Sequence, residues 1–203
     1  MSEAPHGAPF EQPASFAFTP ENRAKADAYI AKYPPGRQAS AVLSLLYLAQ
    51  DQHDNWVPRA AMDHIAEILA MPPIRVYEVA SFYTMFNLRP VGRHFLQICT
   101  TTPCWLRGSD AVVAACKKKL GIGIGETTAD KKFTLLEVEC LGACVNAPII
   151  QVNNRDFYED LDGPAAEKLI DALARGETPP KGSVAGRQGS APIGGPKTLL
   201  ETK

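Results

Sequence analysis

The sequence predicts a mixed α+β chain in two parts: a bundle of four helices, then a small α/β domain with a four-stranded sheet. Three observations carry that expectation. Apolar residues recur at helical spacing from Thr19 to Phe86, in segments separated by proline pairs. At Asn87-Leu88-Arg89-Pro90-Val91-Gly92 the period changes, and short strand-like runs alternate with two further helical ones. Four of the five cysteines then fall in two pairs, each at the end of a predicted strand.

In chain order, residues 1–18 read as a disordered arm, since prolines, alanines and scattered phenylalanines (Phe10, Phe16, Phe18) show no period. The phenylalanines leave a second reading, an arm laid on a partner's surface. Residues 19–90 form the bundle. Thr19-Pro20-Glu21 starts the first helix with an N-cap hydroxyl, a proline at the first helical position and an acid in the first turn. It runs to about Lys32, and Pro34-Pro35-Gly36 ends it. A second helix spans Arg37 to Gln52, with Ala39, Val42, Leu43, Leu46 and Ala49 on one stripe. Pro58 opens a third, in which Met62, Ile65, Ala66 and Leu69 repeat the spacing. A fourth, from Ile74 to Phe86, carries Tyr77, Val79, Ala80, Phe82, Tyr83 and Met85 and is apolar nearly all round. Such a helix is expected to be buried on several sides or against another domain.

Residues 91–176 form the second domain. His94 to Thr100 reads as a strand, Ser109-Asp110 cap a helix to Leu120, and Phe133 to Glu139 is a second strand. Pro148 to Val152 is a third strand, which Asn153-Asn154 turn into a fourth at Phe157-Tyr158. Asp162-Gly163-Pro164 start a final helix that Gly176 ends. The order is β-α-β-β-β-α. Residues 177–203, rich in Pro, Gly and Ser, read as a flexible tail, and no internal repeat is present.

Composition narrows the function classes. Of 203 residues 45% are hydrophobic and 21% charged, with a formal net charge of −1, so nothing marks a nucleic-acid partner or an anionic membrane surface. No apolar run approaches the roughly 18–20 residues of a membrane span. The opening residues Met1-Ser2-Glu3-Ala4-Pro5 lack the pattern of a secretory signal or an intact transit peptide. The expected setting is a reducing, cytosolic compartment, where paired cysteines serve as metal ligands or redox groups.

The pairs are Cys99-Thr100-Thr101-Thr102-Pro103-Cys104 and Cys140-Leu141-Gly142-Ala143-Cys144, spaced C-x4-C and C-x3-C with about 35 residues between them. Three chemistries compete for such sulfurs. A structural zinc site favours C-x2-C pairs, and neither spacing fits that. A redox dithiol also wants C-x-x-C. An iron–sulfur cluster takes four thiolates, and in a two-iron rhomb each iron needs two. The two-plus-two grouping favours the binuclear form, while spacing alone leaves four irons open. Gly142 suits a close backbone approach, Thr100 to Thr102 offer hydroxyl donors, and Trp105 is a candidate shield against water. Simple loop packing accounts for each of these equally well. Cys116 falls at helical spacing with Val112 and Leu120 and reads as a buried structural thiol. The histidines (His6, His53, His64, His94) are dispersed, Gly121-x-Gly123-x-Gly125 is no phosphate loop, and no Ser/His/Asp grouping can be argued.

The segments CTTTPCWLRGSD, FTLLEVECLGACVNAPIIQVN and YEDL closely resemble the 24-kDa (E subunit) family of respiratory complex I, the proton-translocating NADH:quinone oxidoreductase. VYEVASFYTMFNLRPVG resembles the same family's stretch before its first cysteine, and the likeness covers residues 20–175. The tail GRQGSAPIGGPKTLL resembles it less distinctly.

The resemblance implies a helical bundle followed by a thioredoxin-like domain that binds one [2Fe-2S] cluster through Cys99, Cys104, Cys140 and Cys144. The first pair would hold one iron and the second pair the other; Cys116 has no role. It further implies a seat against the FMN- and NADH-binding subunit and neighbouring peripheral-arm subunits, with the cluster near the flavin but off the main chain to quinone. It implies no membrane insertion, and a location on the cytoplasmic face of a bacterial inner membrane, or the matrix side in mitochondria. A related diaphorase subunit of an NAD-linked hydrogenase or formate dehydrogenase is the alternative within this class, and a zinc-stapled structural protein the alternative outside it. By analogy with thioredoxin folds, Ala147-Pro148 is expected to be a cis peptide.

Overall fold

The computed structural model describes residues 10–189, and the chain divides into two compact units between Val91 and Gly92.

In the first unit α1 spans Pro20–Ile30, and the Thr19 hydroxyl accepts the Asn22 N–H at 3.2 Å, as the cap pattern requires. The second helix begins later than its apolar stripe suggests: Gln38–Ala41 form a 3-10 turn, and α2 proper runs Val42–Gln52. Its buried side chains include Leu45 and Leu46, both fully covered, while Leu43 is only half-buried. A stripe predicts one covered face, whereas α2 is packed on several, so Leu45 escaped the pattern. α3 (Arg59–Ile68) buries Ala61, Met62, Ile65 and Ala66 as its spacing dictates.

The fourth helix is shorter than expected. α4 spans Pro73–Phe82, Tyr83 leaves helical geometry at φ −91 and ψ 110, and the next residues are irregular. Gln50, buried in α2, explains the break. Its amide donates to the Met85 carbonyl at 3.0 Å and accepts the Asn87 N–H at 2.7 Å, supplying partners that a continued helix would otherwise provide. Within the unit α4 buries only Val76 and Ala80; Ile74, Tyr77 and Phe82 are exposed, the last by 78%. The expectation of burial on several sides therefore fails for this unit taken by itself.

The described part of the arm, residues 10–18, is packed rather than disordered. Phe18 is buried in the helical core with Phe16 against it, and Phe10 meets Trp56 edge-on at 5.6 Å. Polar contacts hold it too: Gln12 accepts the Arg59 N–H at 3.0 Å, and the Gln52 amide donates to the Ala17 carbonyl at 2.8 Å. Isolated aromatics without a period found pockets on the bundle, which no local pattern signals.

The second unit is a mixed sheet. Strands β1 (His94–Cys99), β2 (Phe133–Val138), β3 (Ile150–Val152), β4 (Asp156–Glu159) and β5 (Gly182–Ser183) lie in the order β2-β1-β3-β4-β5. β1 and β2 are parallel, joined by a crossover through α5 (Thr102–Leu106) and α6 (Ser109–Leu120). β3 and β4 form a hairpin whose Asn153 and Asn154 take φ +54 and +57, the two positive values a type I′ turn requires. α6 and α7 (Gly163–Ala174) cover one sheet face, with Val112, Cys116, Leu169 and Leu173 over Leu96, Ile98, Leu135 and Ile150. The Asp162 carboxylate caps α7 by accepting the Ala165 N–H at 2.8 Å.

Two further expectations change. Gly108, at φ +93, is the N-cap of α6 in place of Ser109-Asp110; Ser109 is buried in the first turn, and Asp110 accepts the Trp105 indole N–H at 3.1 Å. The segment expected as a flexible tail from residue 177 instead adds the fifth strand, parallel to β4, with Tyr158 opposite Gly182 and Glu159 opposite Ser183. Two residues are too few to read as a strand from sequence; the open edge of β4 recruits them. The rest of that tail, residues 190–203, lies outside the described residues.

Gly92 enters β1 under a tight constraint. A Cβ there would sit 2.6 Å from the Phe133 carbonyl carbon and 2.8 Å from the Thr134 nitrogen, both backbone atoms that cannot swing aside. Its N–H donates to the Thr134 hydroxyl at 2.6 Å. Gly92→Ala should lower the free energy of unfolding by about 1–3 kcal/mol through forced separation of β1 from β2. Urea titration measures this, and an unchanged midpoint would count against the close approach.

Candidate metal centre

Each cysteine pair is delivered by a strand end. Cys99 is the last residue of β1; it is fully buried, and its N–H donates to the Ile149 carbonyl at 3.2 Å. The chain turns through Thr100 and Thr101 into α5, where Cys104 is also fully buried. The first motif is thus a strand end plus a helical turn, where the sequence suggests only a loop. Thr101 Oγ1 lies 3.3 Å from Cys99 Sγ.

The second pair follows β2. Gly142 takes φ +79, a conformation that residues with a Cβ rarely adopt, and this aims its N–H at Cys140 Sγ, 3.4 Å away. Cys144 Sγ is 3.4 Å from Cys140 Sγ and opens a 3-10 turn, Cys144–Asn146. Ala147–Pro148 follows as a cis peptide, as expected, and Ala147 and Ile149 wall the buried pair.

The electrostatics tie the pairs together. Burial pushes the Cys104 thiol up to about 12, helped by the sulfurs of Cys99 and Cys144 and opposed by a backbone hydrogen bond from Ile149. The Gly142 N–H, then Cys144 and the Thr101 hydroxyl, hold the Cys140 thiol below its ordinary value. Cys144 is raised, chiefly by Cys140 and also by burial and the charge of Cys99. Thr101 thus touches Cys99 and also favours the ionised form of Cys140, one residue acting on both pairs. A coordinating metal deprotonates a thiol outright. Cys140 and Cys144 bring their sulfurs to 3.4 Å, and among the described residues no group of three or more His, Cys, Asp or Glu side chains is placed to hold a metal ion.

Other sequence candidates sort plainly. Cys116 is fully buried between α6 and α7, its thiol pushed up to about 12 by burial and secondarily by Glu167. Thr100 donates to Glu137 at 2.6 Å instead of to a sulfur, and Trp105, 56% exposed, is held outward by Asp110. His94 stacks on Phe133, while His53 and His64 meet Phe16. The residues that sequence reasoning missed, Ala147 and Ile149 in the wall, carry no signal beyond small size and apolarity.

A family model, thioredoxin-like [2Fe-2S] ferredoxin, matches residues 26–174, a span containing all four cysteines. The chain belongs to the thioredoxin-like [2Fe-2S] ferredoxin family. It is 56% identical over 159 residues to the E subunit of NADH-quinone oxidoreductase of Rickettsia conorii, covering 78% of this chain and 95% of that one. It is 49% identical over 186 residues to NADH dehydrogenase [ubiquinone] flavoprotein 2, mitochondrial, of Dictyostelium discoideum, covering 92% of this chain and 75% of that one. A crystal structure of an NAD+-reducing [NiFe]-hydrogenase matches with a TM-score of 0.57 at 21% identity, over 66% of this chain and 23% of that chain. At that identity the hydrogenase likeness shows shared fold alone.

The family fold leaves its thiols unequal. Cys140 and Cys144 are exposed, whereas Cys99, Cys104 and Cys116 are buried. In metal-free, reduced protein, iodoacetamide should label Cys140 and Cys144 well ahead of the other three, as peptide mass spectrometry can follow. Equal labelling rates for all five in folded protein would contradict this burial pattern.

Proposed function

We propose that the chain is the electron-transfer subunit of an NADH:quinone oxidoreductase, carrying one [2Fe-2S] cluster that exchanges single electrons with the FMN of an NADH-binding partner subunit. Cys99 and Cys104 hold one iron, and Cys140 and Cys144 the other. The observation that carries the reading is the two-plus-two grouping of sulfurs, with Thr101 reaching both pairs. The relatives from NADH-quinone oxidoreductase lend it the complex.

The donor set fits the group: four soft sulfurs, two per iron, with N–H and hydroxyl donors aimed at them. When bound, the cluster takes up and returns one electron. The chain's own part is to hold that charge. The Gly142 N–H, the Ile149 backbone and the Thr101 hydroxyl stabilise negative charge on the sulfurs, which favours the reduced form. The buried Cys99–Cys104 side keeps water away, and the exposed Cys140–Cys144 side is the route for electrons to a partner. Exposed Leu106 and Val145 near the sulfurs, and Ile74, Tyr77 and Phe82 on the helical unit, are the surfaces offered to neighbouring subunits. Among the described residues no helix is long and apolar enough to cross a membrane. The proposed location is the cytoplasmic (or matrix) face, reached through the complex.

The hydrogenase or formate dehydrogenase module is the second reading, and the NADH-quinone oxidoreductase relatives favour the first. Anaerobic purification tests both. A visible spectrum that bleaches with dithionite, with two irons per chain, is the expected result; colourless protein with stoichiometric zinc would overturn the cluster. Replacing Cys99, Cys104, Cys140 or Cys144 by Ala should lose or destabilise the chromophore, while Cys116→Ser should keep it. Co-purifying hydrogenase or formate dehydrogenase subunits, without a membrane arm, would reassign the complex.

A further inference from the structure

The segment after α7 does more than close the edge of β4. Ser183 and Arg187 both reach the Asp160 carboxylate: the Ser183 hydroxyl donates to Oδ2 at 2.6 Å and an Arg187 guanidinium nitrogen to Oδ1 at 2.8 Å. Asp160 is 7% exposed in its side chain, and a carboxylate so covered needs such partners. Arg187's other terminal nitrogen donates to the carbonyl of Val145, the residue after Cys144, at 3.0 Å. The next residue of the segment, Gln188, offers its carbonyl to the Asn146 amide at 3.1 Å, and the same amide reaches Glu159 at 2.8 Å. From the inner side the Asp160 N–H holds the Asn146 carbonyl at 2.7 Å. The turn Cys144–Asn146 is therefore gripped between Asp160 on one flank and residues 187–188 on the other.

We propose that Arg187, with Asp160 as its anchor, is a positioning residue for Cys144. The inference rests on the cluster reading above. A guanidinium is a planar, rigid fork, so a nitrogen fixed on buried Asp160 dictates where the other nitrogen places the Val145 carbonyl. That carbonyl belongs to the Val145–Asn146 peptide, so holding it restrains the short 3-10 turn that carries Cys144 at its start. Cys99 and Cys104 are packed in place, and of the two exposed ligands Cys140 receives the Gly142 N–H while Cys144 depends on its turn. A lysine at this position retains the charge for Asp160 but has no second nitrogen for Val145. Charge pairing and positioning can thus be separated by substitution.

The test compares wild type, Arg187→Lys and Arg187→Ala as anaerobically isolated, cluster-loaded full chains. Three quantities are read: thermal midpoint, rate of cluster loss to a ferrous chelator, and the EPR spectrum of the dithionite-reduced form. The expected result is a wild-type-like thermal midpoint for Arg187→Lys, with cluster loss accelerated about tenfold, the lower end of what outer-shell changes cost in metal affinity. Its EPR g-values should shift as well. Arg187→Ala should show the same shift with a lower midpoint. Wild-type loss rate and EPR spectrum in Arg187→Lys would overturn the proposal and leave Arg187 a partner for Asp160 only. A colourless wild type would instead overturn the cluster reading, so the two failures are distinguishable.

Discussion

Bringing four cysteine thiols to one end of the sheet, two of them fully buried, is the constraint on which the second unit is built. Two thiols are buried and two exposed: burial raises Cys104, Cys140 raises Cys144, and the Gly142 N–H holds Cys140 down. Protein alone does not make such a group favourable. Backbone anchored elsewhere imposes it: β1 ends in Cys99, α5 sets Cys104 one turn on, and the loop after β2 returns Cys140 and Cys144. The sheet supplies the rigidity, because parallel pairing of β1 and β2 places both strand ends on the same edge of the domain.

The same constraint explains the asymmetry of the site. The Cys99–Cys104 side is walled by Ala147 and Ile149 and needs no external hold. The Cys140–Cys144 side lies open, and its order comes from directed contacts: the Gly142 N–H, the Thr101 hydroxyl and the grip of Asp160 and Arg187. An electron carrier benefits from that division, since one side excludes water and the other admits a partner. Closure of the sheet by β5 follows the same logic, covering the edge of β4 and bringing Arg187 to the cysteine turn.

Much of the fold was legible locally. The Thr19 and Asp162 caps, the Asn153–Asn154 turn and the α3 stripe all appear where their residues call for them, because each depends on interactions within a few residues. Local pattern fails where distant groups decide. α4 stops at Phe82 because Gln50 takes up the backbone beyond it; the arm is packed because Trp56 and the helical core receive Phe10 and Phe18. Trp105 turns outward because Asp110 accepts its N–H, and no spacing rule announces that pairing.

By itself the sequence determined four of the five strands, the longer helices, the two cysteine pairs and the kind of chemistry they suit, since spacing and residue type are local properties. Family likeness added the complex. Tertiary structure alone decided which sulfurs are buried, that Thr101 reaches both pairs, and that a stretch rich in glycine and proline returns to grip the turn after Cys144. The reason is physical. Burial, electrostatic coupling and a guanidinium shared between Asp160 and Val145 are set by groups dozens of residues apart, brought together only when the chain closes on itself.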